Sequence, residues 1–351
     1  MTRLEAALEL VAVPSVSRGE GRLAALVESR LRAAAHLEVE RVGDNVVART
    51  TGTRAKRRLV AGHLDTVPGD ATRARLEGER LVGVGACDMK GSLAVMLELA
   101  LDPAPRPVEV TWVFYAREEV ARAESGLLEV AELRPDLLVA DCAVLGEPTG
   151  GRVEAGCQGS LRAGVTLVGR RAHTARPLEG RNAIHRLAGV IERVARYEPR
   201  RVSLEGVEFL EQLQAVAVEG GVADNVVPDR ATLTLNHRVA PDRDRAGAVT
   251  WLRGYLADVL EGGDRLEELD WAPAAAPHLS DPALGALVEV SGAPARAKQG
   301  WTDVATFVER GVPAANFGAG DPLRAHTSDE YVTAAELDAF AGALGAWLAR
   351  P

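Results

Sequence analysis

The sequence predicts an α/β protein in which a discontinuous domain with a largely buried sheet is interrupted by a small β-α-β-β-α-β domain. Three observations predict it. Near-continuous apolar strands alternate with helical periodicity up to about residue 157, the pattern of a sheet covered on both faces. From residue 158 the rhythm becomes strand, helix, strand, strand, helix, strand, which is the order of a split βαβ sandwich. After residue 271 the α/β alternation resumes. The expected boundaries are 1–157 and 271–351 for the two segments of the larger domain and 158–270 for the insert. A chain of 351 residues is long enough for two domains.

The elements follow in order. Ser17 and Glu20 stand three apart before LAALVESRLRAA, a capping-box arrangement that predicts an amphipathic helix. LEVERVGDNVVAR and RRLVAGHL read as strands, GSLAVMLELAL as a helix, VEVTWVFYARE as a strand, SGLLEVAEL as a helix and LLVADCAVLGE as a strand. In the insert the strands are LRAGVTLVGR, QLQAVAVEGG, ATLTLNHRVA and RLEELDW, and the helices are NAIHRLAGVIERVARY and AGAVTWLRGYLADVL. DPALGALVEVSG, ARAKQGW, TDVATFVERG and VPAANFG complete the larger domain, and Thr333 with Glu336 predicts a second capping box at the last helix.

Lys and Arg total 41 against 50 Asp and Glu, a net charge of -9, which argues against a nucleic-acid partner. Cys87, Cys142 and Cys157 are odd in number and widely spaced, so they suit a reducing cytoplasm and read as small buried hydrophobes. The opening MTRLEAALELVAV lacks the basic-then-apolar pattern of a secretory signal, and no apolar run has membrane-spanning length. A cytoplasmic protein without a membrane partner is expected.

Several strands end in residues that carry chemistry. His63 and Asp65 share one face of a strand or its extension; they are either a structural pair or a metal-ligand histidine with its orienting carboxylate. Asp88, in GVGACDMKG, could cap the following helix or bridge two metals. Glu118 and Glu119 end the apolar WVFYAREEV; adjacent carboxylates there form a solvated turn or divide into a metal ligand and a base. Glu147 follows another apolar strand, and His326 lies in the loop GAGDPLRAHTSDE. Ligands of α/β sheets bind outside the carboxyl ends of strands, so the convergence counts for more than any single residue. His63, Asp88, Glu119, Glu147 and His326 would suffice for two metals sharing Asp88, a mixed N/O set that Zn2+ accepts, with Glu118 free to move a proton. Serine chemistry is disfavoured because no G-x-S-x-G elbow occurs.

HLDTV, ACDMKG, REEV, LGEPT and AHTSDE, in this order around an inserted domain, resemble the dizinc deacylase and carboxypeptidase family, peptidase family M20. The resemblance implies a metallopeptidase-like catalytic domain, with a mixed sheet between helices, and a ferredoxin-like lid and dimerisation domain. It implies two Zn2+, with Co2+ or Mn2+ as substitutes: His63, Asp88 and Glu147 on one, Asp88, Glu119 and His326 on the other. It further implies Glu118 as general base, Asp65 as orienter of His63, and His173 as a donor to the tetrahedral oxyanion across a homodimer interface.

VEAGCQGSLR, RAHTARPLEGRNAIH, GGVADNVVPD, QGWTDVATF and GDPLRAH are most similar to a bacterial desuccinylase branch of that family. By that similarity Asn225, Arg238, Gly300, Trp301 and Thr302 line the substrate, a small acyl-amino acid. The expected reaction converts N-succinyl-LL-2,6-diaminopimelate and water to LL-2,6-diaminopimelate and succinate, in lysine biosynthesis. The alternatives are an acetylornithine-type deacetylase or dipeptidase, and a non-catalytic binding protein on the same scaffold. Cys157 and Thr306 stand where relatives carry arginines, so a substrate carboxylate would need another cation, such as Arg162, Arg176 or Lys298, or the substrate would be another acyl-amino acid.

Overall fold

The strand Glu109–Tyr115 is buried at every position, which requires cover on both faces of its sheet. In the computed structural model, which describes residues 1–351, it is the third strand of an eight-stranded mixed sheet. The order is Leu37–Val42, Asn45–Thr50, Glu109–Tyr115, Arg57–His63, Cys142–Leu145, Ala314–Asn316, Glu154–Cys157, Arg296–Lys298. From Glu109–Tyr115 to Ala314–Asn316 the neighbours run parallel. Their carboxyl ends therefore share one edge: His63 pairs with Tyr115, and Asn316 with Leu145.

Val60, Val110, Trp112, Phe114, Val144 and Ala315 enter one core with Leu10, Val27, Leu93, Met96, Phe340 and Leu344 from the helices Arg3–Val11, Gly21–Arg32, Gly91–Leu101 and Ala334–Leu348. Strand alternation sends Thr111, Val113 and Tyr115 to the opposite face, where they are also buried. Each large apolar side chain so buried contributes about 1.5–3 kcal/mol. That rigid sheet fixes the position of whatever its strand ends carry.

Two local expectations change. LEVERVGDNVVAR is a hairpin rather than one strand, with Val42 paired to Asn45 across Gly43 and Asp44. Gly43 has φ +59°, a turn conformation glycine adopts without steric cost, and apolar alternation does not register so short a reversal. The Ser17/Glu20 capping box does not form. Glu20 is the N-cap of Gly21–Arg32 with no side-chain cap bond; its Oε1 accepts from the backbone N–H groups of Arg18 and Arg117, each at 3.0 Å, while Ser17 is turned to Asp65. The Thr333/Glu336 box does form.

By contacts the chain divides into Met1–Gly156 with Pro277–Ala297 and Thr302–Pro351, and a second unit of Cys157–Ala276 with Lys298–Trp301. The second unit extends beyond the expected 158–270 because Cys157 and Ala275 exchange backbone hydrogen bonds and Gln158 N–H donates to the Lys298 carbonyl. Gln299 also bonds to the backbone of Glu208 and Leu210. Its core is an antiparallel sheet ordered Gln212–Gly220, Arg230–Val239, Gly159–Val168, Arg265–Ala272. Ala231, Leu233, Leu235 and Val239 cluster with residues of the helices Ala183–Ala195 and Arg245–Leu256. Two short additions were not expected: the hairpin Arg201–Leu204 with Val207–Leu210, and the pair Ala172–His173 with Val226–Val227. No helix is long and apolar enough to cross a membrane.

Candidate metal centre

His63 is the last residue of Arg57–His63 and is fully buried. Its Nε2 lies 3.0 Å from Asp88 Oδ1. Its Nδ1 lies 3.0 Å from the Asp65 carbonyl oxygen and 3.5 Å from the Asp65 carboxylate, so the main chain is the nearer orienting partner. The Asp65 carboxylate reaches further. Its Oδ1 accepts the N–H of Glu118, and its Oδ2 accepts the N–H of Glu119 at 3.0 Å and the Ser17 hydroxyl at 2.7 Å. Burial raises its pKa, but the bonds to His63, Ser17 and the backbone prevail and hold it down at about 2.

Asp88 does not cap the helix Gly91–Leu101, whose N-cap Lys90 makes no side-chain cap bond. Its φ of -118° and ψ of 93° break the turn Ala86–Lys90 and aim the carboxylate between two imidazoles, with Oδ2 3.4 Å from His326 Nε2. Glu119 Oε1 lies 2.7 Å from the same His326 nitrogen. Glu118 and Glu119 are therefore not a solvated turn: Asp65 grips both amides, and Glu20 holds the N–H of Arg117. Glu147, just past Cys142–Leu145, is buried.

Ligand-type atoms of His63, Asp88 and Glu147 lie within 4.8 Å of one another, as do those of Asp88, Glu119 and His326. A third trio within the same limit is His63, Glu118 and Glu119. The only cationic side chains paired with Asp88 and Glu119 are imidazoles. Burial opposes the charged form of His63, yet hydrogen bonds to Asp65 and Asp88 hold its pKa well above the usual value. Bonds to Asp88 and Glu119 raise His326 to about 10. Glu118 is pushed well above the carboxylate range by burial, then by the charges of Glu147, Asp303 and Glu119. Crowded carboxylates that draw protons onto neighbouring groups fit a divalent cation, and the N/O donor set without cysteine suits a hard or borderline one.

The remaining predicted residues belong to none of these three trios. His173, in Ala172–His173, is exposed and pairs with Val226, and Asn225 accepts the N–H of Thr174. The Ala175 N–H donates to His173 Nδ1 at 3.0 Å, which leaves the proton on Nε2. Arg238 is half-buried with no ion pair, and Arg176 is exposed and likewise unpaired, whereas Arg162 faces Asp270 at 3.9 Å. Gly300 and Trp301 belong to the second unit, with Trp301 Nε1 donating to the Pro273 carbonyl, and Thr302 belongs to the first. Thr306 is buried and donates to Asp303 Oδ1 at 2.7 Å, and Cys157 is buried.

Residue types alone did not single out Ser17 and Glu20 as supports of the acidic loop, nor two buried acids, Asp303, whose charge acts on Glu118, and Glu330, which bonds to the Asp88 turn. Asp303 and Glu330 had a signal only as members of the motifs QGWTDVATF and AHTSDE.

The family model of peptidase family M20/M25/M40 matches residues 59–350. A provisionally named succinyl-diaminopimelate desuccinylase of Mycobacterium tuberculosis is 47% identical over 339 residues, covering 96% of this chain and 95% of its own. The succinyl-diaminopimelate desuccinylase of Corynebacterium glutamicum is 42% identical over 348 residues, covering 97% and 94%. Among solved structures, a tripeptidase from Staphylococcus aureus superposes with a TM-score of 0.80 at 20% identity, over 99% of this chain and 97% of its own. A dinuclear metal-binding peptidase of the same family from Bacillus subtilis gives 0.72 at 17% identity, over 99% and 96%. With a match across most of its length, the chain belongs to peptidase family M20/M25/M40.

Proposed function

We propose that this chain hydrolyses N-succinyl-LL-2,6-diaminopimelate to LL-2,6-diaminopimelate and succinate, a step toward lysine, with two Zn2+ as its resident cations. The observation that carries this reading is the pair of ligand trios sharing Asp88 at one edge of the parallel strands, with Glu118 beside them. The desuccinylase relatives at 47% and 42% identity support the choice of substrate. His63, Asp88 and Glu147 would hold one cation, and Asp88, Glu119 and His326 the other. Two such cations supply Lewis acidity toward an amide carbonyl and toward a water.

The protein's own groups do the rest. Glu118 takes a proton from the attacking water and delivers it to the amide nitrogen as the C–N bond breaks. His173, with Nδ1 occupied as an acceptor, would present Nε2–H to the developing oxyanion across the homodimer interface. Arg238 offers a planar fork with no internal carboxylate to neutralise it, which suits a substrate carboxylate. The test is a screen of succinyl-diaminopimelate, acetylornithine and dipeptides, each with and without chelator; turnover of only the latter two overturns the substrate assignment.

Arg238→Ala is expected to raise KM by about 10- to 100-fold, the loss of one charge-assisted hydrogen bond, with a smaller effect on kcat. A KM equal to the parent's in steady-state kinetics removes Arg238 from recognition. The partner we assign is a second copy of the chain. The strand Gln212–Gly220 ends its sheet with one edge unpaired and exposes Val216 and Val218 at 55% and 53%, a strand edge open to pairing. Val218→Asp should shift the mass measured by light scattering from dimer to monomer; a monomeric parent defeats the assignment. The three buried cysteines accord with a cytoplasmic site of action.

A further inference from the structure

We propose that Glu330 is a positioning residue that fixes the Asp88 turn for cation binding, an inference that rests on the metal reading above. Glu330 is 1% exposed and belongs to none of the three trios of ligand-type atoms. Its Oε1 accepts the backbone N–H groups of Cys87 at 2.8 Å and Asp88 at 2.9 Å, and its Oε2 accepts that of Gly85 at 3.1 Å. Its own carbonyl accepts the N–H of Gly83 at 2.9 Å. The Asp88 turn thus forms a concave set of amides of the kind that binds anions, and the protein fills it with its own carboxylate. Such charge-assisted bonds are about twice as strong as neutral ones.

The geometry gives these bonds a purpose beyond holding a loop. Asp88 is the carboxylate shared by both principal trios, and its own N–H is one of the three that Glu330 anchors. Rotation of the peptide that carries this N–H would swing the carboxylate away from His63 and His326. Glu330 also follows His326 by four residues in AHTSDE, so one carboxylate ties the shared ligand to the segment that bears a ligand from the far end of the chain. Gly85, at φ +82°, lets the turn close around it.

E330Q tests the idea because glutamine has nearly the same shape but must aim an amide N–H at one of the three backbone donors. Calorimetric titration of the chelator-treated chain with Zn2+ is expected to show affinity about 10- to 100-fold below the parent's, the usual cost of losing a group that orients a ligand. At saturating Zn2+ kcat should stay close to the parent's, a split that general destabilisation does not produce. Thr333→Ala, which loses the cap of the last helix, is the control and should keep the parent's affinity. If E330Q does not fold, E330D, which keeps the charge but shortens its reach, is read the same way. A folded variant with the parent's Zn2+ affinity overturns the positioning role alone, whereas a parent that binds no Zn2+ overturns the metal reading itself.

Discussion

Glu118→Gln should lower kcat by about 10²- to 10⁴-fold, the range for loss of a positioned acid–base group, while the protein keeps its metal. The substitution preserves shape, and the backbone N–H of residue 118 still donates to Asp65, so the acidic loop has no reason to move. What disappears is the ability to accept a proton from water and return it to nitrogen. The structure also makes the result informative in the other direction. Glu118 has a ligand-type oxygen within 4.8 Å of His63 and Glu119, so it could serve as a ligand instead of a base. Metal content measured beside kcat separates the two: a rate loss at full occupancy identifies the proton shuttle, and a rate loss that follows lost metal identifies a ligand. Full activity in the variant removes Glu118 from the mechanism.

Removing the divalent metal should abolish turnover and lower the unfolding temperature, and readdition should restore both. The site edge is crowded with Asp65, Asp88, Glu118, Glu119 and Glu147, of which Asp65 is fully buried and Glu147 nearly so. Without cations their repulsion is relieved chiefly by protons on His63, His326 and Glu118, whose pKa values all lie above the ordinary ones. A cation that binds the folded chain alone stabilises it by about 4 kcal/mol when its free concentration is a thousandfold above Kd. Because metal and protons compete for the same donors, the gap in unfolding temperature between loaded and stripped protein should narrow as the pH falls. Differential scanning calorimetry at several pH values measures that gap; equal unfolding temperatures with and without chelator count against a metal centre in this cluster.

The two effects have different origins, which explains how much of the site was legible beforehand. His63, Asp88, Glu119, Glu147 and His326 could be read because each sits after an apolar strand or at a helix mouth, where a polar residue interrupts a recognisable local pattern. The same local logic misassigned Ser17 and Glu20. Their spacing satisfies a capping box, but Ser17 bonds to Asp65 and Glu20 to Arg117, partners 48 and 97 residues away. Asp65 was likewise legible as a companion of His63, whereas its grip on the Glu118 and Glu119 amides was not.

By itself the sequence determined the alternation of buried strands and helices, the insertion of a second unit, and the donor types available at the strand ends, because periodicity and residue chemistry are properties of short stretches. Only the tertiary structure decided which donors meet and what holds their loops. Irregular loops have backbone amides with no local partners, and a buried amide must find an acceptor wherever the fold brings one. Asp65 serves Glu118 and Glu119 from 53 and 54 residues away, and Glu330 serves Asp88 from 242. No periodicity spans such separations; they are set by the parallel sheet that levels its strand ends.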